Sequence, residues 1–337
     1  MPLIARGVKT KIKIGQIGSG HAHASGKLAA IRNLSDDFEL VGLAQPREAA
    51  NSPIPGSGVY RGVRQMSEEK LLATPGLQAV TIETEVPHLV AAAKRAVGAG
   101  LHIHHDKPGG TMLGDFRELL RLAKRKDVTV QMGYMLRYNP AFQFMYRAVR
   151  DGWLGQIMEV DAMMGKMASG SLRRELERYD GGGMFELACH LIDSVLHVMG
   201  KPAKVHAFTR RTQDDGVADN QLAVLEYAAA TATVRCNHRD SFGFPRRRFQ
   251  IAGDRGVIEI RPMEPGNQLE LSLAEARGGY KKGTQTVKLP GRRGGRYDGE
   301  FADLAKVIRG EAKLAWSYEH DLNVQETVLR AAGMPVK

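Results

Sequence analysis

The sequence predicts a parallel α/β domain followed by an α+β domain with an open, largely antiparallel sheet. Three observations lead to that class. Through roughly the first 130 residues, short apolar runs alternate with helical patterns, which implies right-handed strand–helix–strand crossovers and a parallel sheet. Those apolar runs lack strict alternation, as strands covered on both faces do. After about residue 133 most segments are strands joined by short turns containing Gly or Asp.

In chain order, residues 11–18 read as a strand ending in a glycine turn and 24–33 as a helix. Residues 38–44 and 77–82 are apolar strands; 88–99 is a helix stopped by Gly100. Residues 101–105 are a strand, 112–126 a helix and 128–132 a strand. Helices follow at 141–150 and 184–199, with a strand at 156–166 between them. Strands are expected at 203–210, 221–227, 231–237, 247–251, 257–260 and 269–273. Two helices, 299–309 and 319–332, close the chain, and Gly333 stands where a C-cap belongs. The domains are therefore 1–132 and 133–337, with an active cleft expected between them and the closing helices free to return to the first domain.

With 337 residues, two domains are the natural expectation. A hydrophobic share of 43% and a charged share of 25% are those of a globular chain. Lys and Arg number 48 against 37 Asp and Glu, a net charge of +11. Such an excess suits nucleic acid, an anionic membrane surface or a phosphorylated ligand. Basic residues are scattered among acidic ones, apart from Arg246-Arg247-Arg248 and the stretch Gly291-Arg292-Arg293-Gly294-Gly295-Arg296. No nucleic-acid module is recognisable, so no nucleic-acid partner is expected. No apolar run approaches the roughly 18 residues of a membrane helix, and residues 1–7 lack the apolar core of a signal peptide. The two cysteines, Cys189 and Cys236, form no Cys-x-x-Cys pair, so neither a disulfide framework nor a zinc site is expected. A cytoplasmic protein with no membrane partner is the expectation.

Gly18-Ser19-Gly20-His21-Ala22-His23 follows a strand and precedes a helix. There, glycines let backbone N–H groups approach a pyrophosphate at a helix N-terminus; His23 takes the third glycine position. The second strand ends in Ala44-Gln45-Pro46-Arg47, without a carboxylate. A neutral Gln45 and a nearby Arg47 tilt the choice of cofactor toward NADP over NAD, unless Arg47 is only a solvated turn residue.

His104-His105-Asp106-Lys107-Pro108 ends another strand, at the edge where parallel sheets bind ligands. A lysine there can bond a substrate hydroxyl and assist proton removal. His102, His104 and His105 lack carboxylate or cysteine companions at ligand spacing, so no metal is expected. In Gly181-Gly182-Gly183-Met184-Phe185-Glu186-Leu187-Ala188-Cys189-His190-Leu191-Ile192-Asp193, the residues Glu186, His190 and Asp193 recur at helical spacing on one face, a stripe suited to acid–base work. Arg137-Tyr138-Asn139-Pro140 lies at the domain junction, where polar and aromatic groups can bind a ligand.

In this order, the motifs resemble those of the glucose–fructose oxidoreductase / inositol 2-dehydrogenase (Gfo/Idh/MocA) family, from about Lys11 to Ala332. The resemblance implies an N-terminal Rossmann domain and a C-terminal domain on an open antiparallel sheet. Asp106-Lys107-Pro108 matches the family's Glu-Lys-Pro, so Lys107 would touch both nicotinamide ribose and substrate. Glu186-x-x-x-His190 matches its Asp-x-x-x-His, making His190 the general base and Glu186 a substrate-positioning acid. Gly18 and Gly20 match the cofactor loop, Thr84 and His88 a cofactor-side stretch with Glu85 in place of Pro, and Arg137-Tyr138-Asn139-Pro140 the start of the substrate domain. An NAD(P)-dependent dehydrogenase of a sugar, inositol or other polyol is implied. Redox-neutral glycoside cleavage through a keto sugar and a noncatalytic NAD(P)-binding regulator are the alternatives. A homo-oligomer, dimer or tetramer, is expected because an open sheet must cover its apolar side.

Overall fold

A computed structural model describes residues 10–291 and 294–337. Residues 1–7, and Arg292 and Arg293 of the Gly- and Arg-rich stretch, lie outside the described residues. The described chain forms two compact units.

The first unit comprises residues 10–106, 118–133 and 294–315. It carries β1 (Ile12–Ile17), α1 (Ala24–Asn33), β2 (Phe38–Ala44), α2 (Glu68–Leu72), β3 (Ala79–Ile82), α3 (Leu89–Gly98), β4 (His102–His105), most of α4 (Leu113–Lys126) and β5 (Val130–Met132). The strands run parallel in the order β2-β1-β3-β4-β5. The chain order reverses at β1, and ligands bind parallel sheets at such a point, beyond the carboxyl ends of the strands. The strands are as buried as their unbroken apolar runs imply: every residue of β3 is buried.

The second unit comprises residues 107–117, 134–291 and 316–337. It carries α5 (Pro140–Arg150), β6 (Ile157–Gly165), α6 (Gly170–Leu176), α7 (Gly182–Glu186), α8 (Cys189–Met199), β7 (Lys204–Arg210), β8 (Asn220–Glu226), β9 (Thr231–Asn237), β10 (Arg248–Gly253), β11 (Gly256–Ile260), β12 (Gln268–Leu273) and β13 (Gly283–Lys288). Of the closing helices, α9 (Asp298–Ile308) belongs to the first unit and α10 (Tyr318–Ala331) to the second. The eight strands lie in the order β13-β12-β11-β10-β6-β9-β8-β7. All neighbours are antiparallel except β6 and β9, which run parallel with Gly165 opposite Asn237. Asn139 caps α5 by accepting from Ala141 N at 3.0 Å, and Pro140 takes the first helical position, where no partner for an N–H is needed. Ser317 caps α10 through His320 N, and past its other end Met334 N returns to Leu329 O at 2.8 Å, with Gly333 between. α8 lies against α10 and buries Leu191 and Val195 with Val324 and Val328, each contributing about 1.5–3 kcal/mol.

Two features differ from the sequence-based expectation. Segment 107–117 groups with the second unit although it precedes residue 133, whereas 294–315, with α9, returns to the first unit as the closing helices were free to do. α2, α6 and β13 were not expected: α6 is short and charged, and β13 is a mostly polar edge strand. The outer side of the large sheet is mixed, with Phe208 53% exposed and paired in register with Leu222. It carries Lys204 and His206 against Glu226 at 3.6 and 3.1 Å, and Thr233 donating to Asp161 at 2.8 Å.

Burial pushes His105, His197 and His238 each down to about 4. In the unfolded chain histidines take up protons near pH 6.5. Between those values the unfolded state binds more protons, so stability falls as pH falls. Thermal melts should lose several degrees between about pH 6.5 and pH 4.5, and His105→Gln should flatten that slope. A melting temperature constant across the window would contradict this.

Candidate active site

The first unit places the expected cofactor residues at the end of β1. Gly18 has φ +93°, and its N–H donates to Ala44 O at 2.7 Å. A Cβ on Gly18 would stand 2.7 Å from the carbonyl carbon and oxygen of Glu83, so only glycine fits this approach. Within the described residues the N–H groups of Ser19, Gly20 and Ala22 make no hydrogen bond. Three open backbone donors ahead of a helix are what a pyrophosphate requires, so the turn fits a dinucleotide. Gln45, at the end of β2, donates to Ser19 Oγ at 2.9 Å and to Ser52 O at 3.1 Å, tying the turn to the strand tip.

Arg47 stands at the surface just beyond the tip of β2. Its side chain is 64% exposed and its guanidinium faces Glu69 at 3.4 Å, while its backbone N–H donates to Glu68 at 2.7 Å. Gln45, Arg47, Glu68 and Glu69 line a cavity of about 480 Å³. Thr84 is buried, its hydroxyl donating to Glu85 O at 3.0 Å. His88 precedes α3 and faces Glu85 at 3.9 Å.

Asp106 is fully buried, and His21 Nδ1 and His23 Nδ1 each lie 3.1 Å from its Oδ2. Burial would raise this carboxyl, but His21, His23 and Lys27 outweigh it and hold Asp106 well below the usual range. Burial and Asp106 together push Glu83 well above that range. His23, in place of a third glycine, thus bonds the phosphate turn to the end of β4. His21, His23 and Asp106 offer three ligand atoms within 4.8 Å of one another, a set that could also hold a metal ion. The sequence does not reveal this set, because 83 residues separate His23 from Asp106. His104, weighed there as a ligand, instead meets Glu300 at 2.7 Å beside the buried Lys27–Glu300 ion pair.

The second unit gathers Lys107, Glu186 and His190. The single helix expected over 184–199 is broken at Leu187 and Ala188. His190 N donates to Leu187 O, and Glu186 O accepts from Lys107 Nζ at 2.6 Å. The break therefore turns a helix carbonyl into an anchor for the lysine. Glu186 Oε1 adds a contact at 3.4 Å, and the Lys107 side chain is 0% exposed. His190 is buried, with its ring edge-on to Tyr134 at 5.8 Å. Because of the break, Glu186 and His190 do not share one continuous helical face, although both stay in the site.

Three further groups surround Glu186 that sequence reasoning missed. Lys166 Nζ lies 3.3 Å from Oε2, and His238 Nε2 lies 3.7 Å from it. The buried Tyr179 hydroxyl and both His238 nitrogens have no hydrogen-bond partner among the described residues. Each such orphan costs about 1–3 kcal/mol, which a ligand hydroxyl would offset. Burial, followed by the carboxylates of Glu186 and Glu175, raises Tyr179. A Cβ on Gly183 would stand 2.7 Å from the His238 ring, so the triple glycine lets α7 close on the imidazole. Lys166 and His238 follow the ends of the parallel pair β6 and β9, a pairing that period-two patterns cannot reveal.

Arg137, Asn139 and Asp193, expected to bind substrate, are committed elsewhere. Arg137 donates to Asp193 at 2.7 Å and to Asp321 at 2.6 Å. Asn139 caps α5 and donates to Met263 O at 2.9 Å. Tyr138 sets its ring edge against Trp316 at 5.7 Å. These residues hold the second unit together.

A glycine turn with open donors at this point of a parallel sheet is how dinucleotide-dependent oxidoreductases hold their cofactor, and this is the class the chain falls in. It belongs to the GFO/IDH/MocA family: residues 12–134 match its NAD-binding Rossmann-fold oxidoreductase domain, and residues 142–259 match its C-terminal domain. The chain is 25% identical to the uncharacterized oxidoreductase YhhX of Escherichia coli over 270 residues, 74% of this chain and 75% of that protein. It is 28% identical to bovine trans-1,2-dihydrobenzene-1,2-diol dehydrogenase over 163 residues, 48% of each chain. Among solved structures, the WlbA dehydrogenase from Bordetella pertussis, crystallised with NADH and UDP-GlcNAcA, shares the fold. Its TM-score is 0.81 at 18% identity, covering 97% of this chain and 99% of that one. Among the described residues no helix is long and apolar enough to cross a membrane.

Proposed function

We propose that this protein is a dehydrogenase that uses a nicotinamide dinucleotide to oxidise a hydroxyl carbon of a sugar, inositol or related polyol. The observation that carries the reading is the buried ammonium of Lys107, fixed by the carbonyl freed at the α7–α8 break. A bound nicotinamide supplies the hydride acceptor. His190 takes the hydroxyl proton at its imidazole, and Lys107 stabilises the negative charge that grows on the substrate oxygen. Glu186 orients Lys107. Gly18, Ser19, Gly20, His21 and Ala22 would hold the cofactor's pyrophosphate, Gln45 would serve the adenosine ribose, and Thr84, His88, Asp106 and Pro108 would serve the remainder.

NAD fits better than NADP. Glu68 and Glu69 line the same cavity as Arg47, and Arg47 is already paired with Glu69; two acids there disfavour an added phosphate. The NADH held by the WlbA structure points the same way. The redox-neutral glycoside-cleaving reading has less support, because Glu186 accepts from two lysines instead of standing as an additional acid.

The test is a fluorescence titration with NADH and NADPH, then a polyol panel followed by nicotinamide absorbance. NADH should bind more tightly. Gly18→Ala should weaken binding at least about tenfold, the cost of about 1.4 kcal/mol or more of lost fit, with melting temperature as the folding control. Failure to bind either dinucleotide, or to oxidise any polyol, overturns the reading.

A further inference from the structure

We propose that the substrate is an acidic sugar or polyol, carrying one anionic group that Lys166 meets and hydroxyls that His238 and Tyr179 meet. This rests on the polyol reading above and narrows it. The argument begins in the sheet. β6 and β9 are the one parallel pair of the large sheet, so both carboxyl ends emerge on the same edge. Lys166 and His238 are the residues that follow those ends, and both face Glu186.

The electrostatics favour an anion. Glu186 is shared by Lys107 and Lys166, two ammonium groups on one carboxylate. Among the described residues Glu186 is the sole ion-pair partner of Lys166. The Lys166 side chain is 28% exposed, so it stands at the open edge of the cluster, whereas Lys107 is wholly buried. The nearby acids Asp215 and Asp219 are paired with Arg173. His238 is held uncharged at neutral pH by burial. It therefore presents one N–H and one lone pair; among the described residues neither makes a hydrogen bond, and nor does the Tyr179 hydroxyl. A polyhydroxylated ligand fills such positions with hydroxyls that donate and accept, and its acid group completes the charge of Lys166.

The test compares D-glucuronate with D-glucuronamide, which keeps the skeleton and removes the charge. Calorimetry on the full chain, with and without NADH, should show the acid binding at least about tenfold more tightly, about 1.4 kcal/mol. That preference should fall below about threefold in Lys166→Met and return in Lys166→Arg. Tyr179→Phe should weaken acid and amide alike, since it reads a hydroxyl. A parallel arm, glucose 6-phosphate against glucose, distinguishes a phosphate from a carboxylate as the anionic group. Equal affinity within both pairs, a preference that survives Lys166→Met, or no binding of any probe overturns the proposal. If the acid binds preferentially but no acidic polyol is oxidised with NAD or NADP, the anion site stands and the dehydrogenase reading falls. If neutral polyols are oxidised with no preference for acids, the dehydrogenase reading stands and the anion site falls.

Discussion

Lys107→Ala should lower kcat/KM for polyol oxidation by about 10²–10⁴-fold. The ammonium is buried and held at 2.6 Å by Glu186 O, so no water or neighbouring chain can replace its charge at the same place. The variant should still fold, because Lys166 continues to face Glu186 and the carboxylate is not abandoned. Glu186→Gln should be milder, about tenfold, since the stronger anchor of Lys107 is the main-chain carbonyl and not the carboxylate at 3.4 Å. Steady-state kinetics on the two variants settle the order. A loss under tenfold in Lys107→Ala, or a larger loss in Glu186→Gln, would remove Lys107 from the chemistry.

That contrast also marks how far the sequence could be read. Lys107, Glu186 and His190 are legible as residue types at strand-end and helical spacings. The Rossmann domain is legible because apolar strands and amphipathic helices have different periods. The helix break is not legible: 184–199 reads as continuously helical, and the carbonyl of Glu186 is freed by tertiary demand from a lysine 79 residues away. Lys166 and His238 are invisible for a related reason. Each follows an ordinary strand, and only the parallel pairing of β6 with β9 brings them together. The first unit repeats the lesson, since His23 reads as an irregularity of a glycine motif until Asp106 is seen to meet both His21 and His23.

Arg137 gives the largest expected effect on stability. Its guanidinium is buried between Asp193 and Asp321 and lies 4.8 Å from the rings of both Tyr134 and Trp316. Burial would raise Asp193, but Arg137 and His320 hold it down to about 2; burial of Asp321 wins, and that carboxyl is raised. Arg137→Met leaves Asp193 ionised in the interior, which should cost about 3–5 kcal/mol of unfolding free energy. Asp321→Asn should cost much less, because one acid remains for the arginine and Asp321 is the partner that burial already pushes toward neutrality. Because Asp193 is depressed, its contribution is present above about pH 4 and is lost as pH falls toward 2. Urea unfolding measures both variants. The same pair separates structure from substrate binding. A group that binds substrate would raise KM in Arg137→Lys with little change in melting temperature. A group that holds the second unit together should lower the melting temperature first, since a lysine can satisfy one carboxylate but not the fork that reaches two.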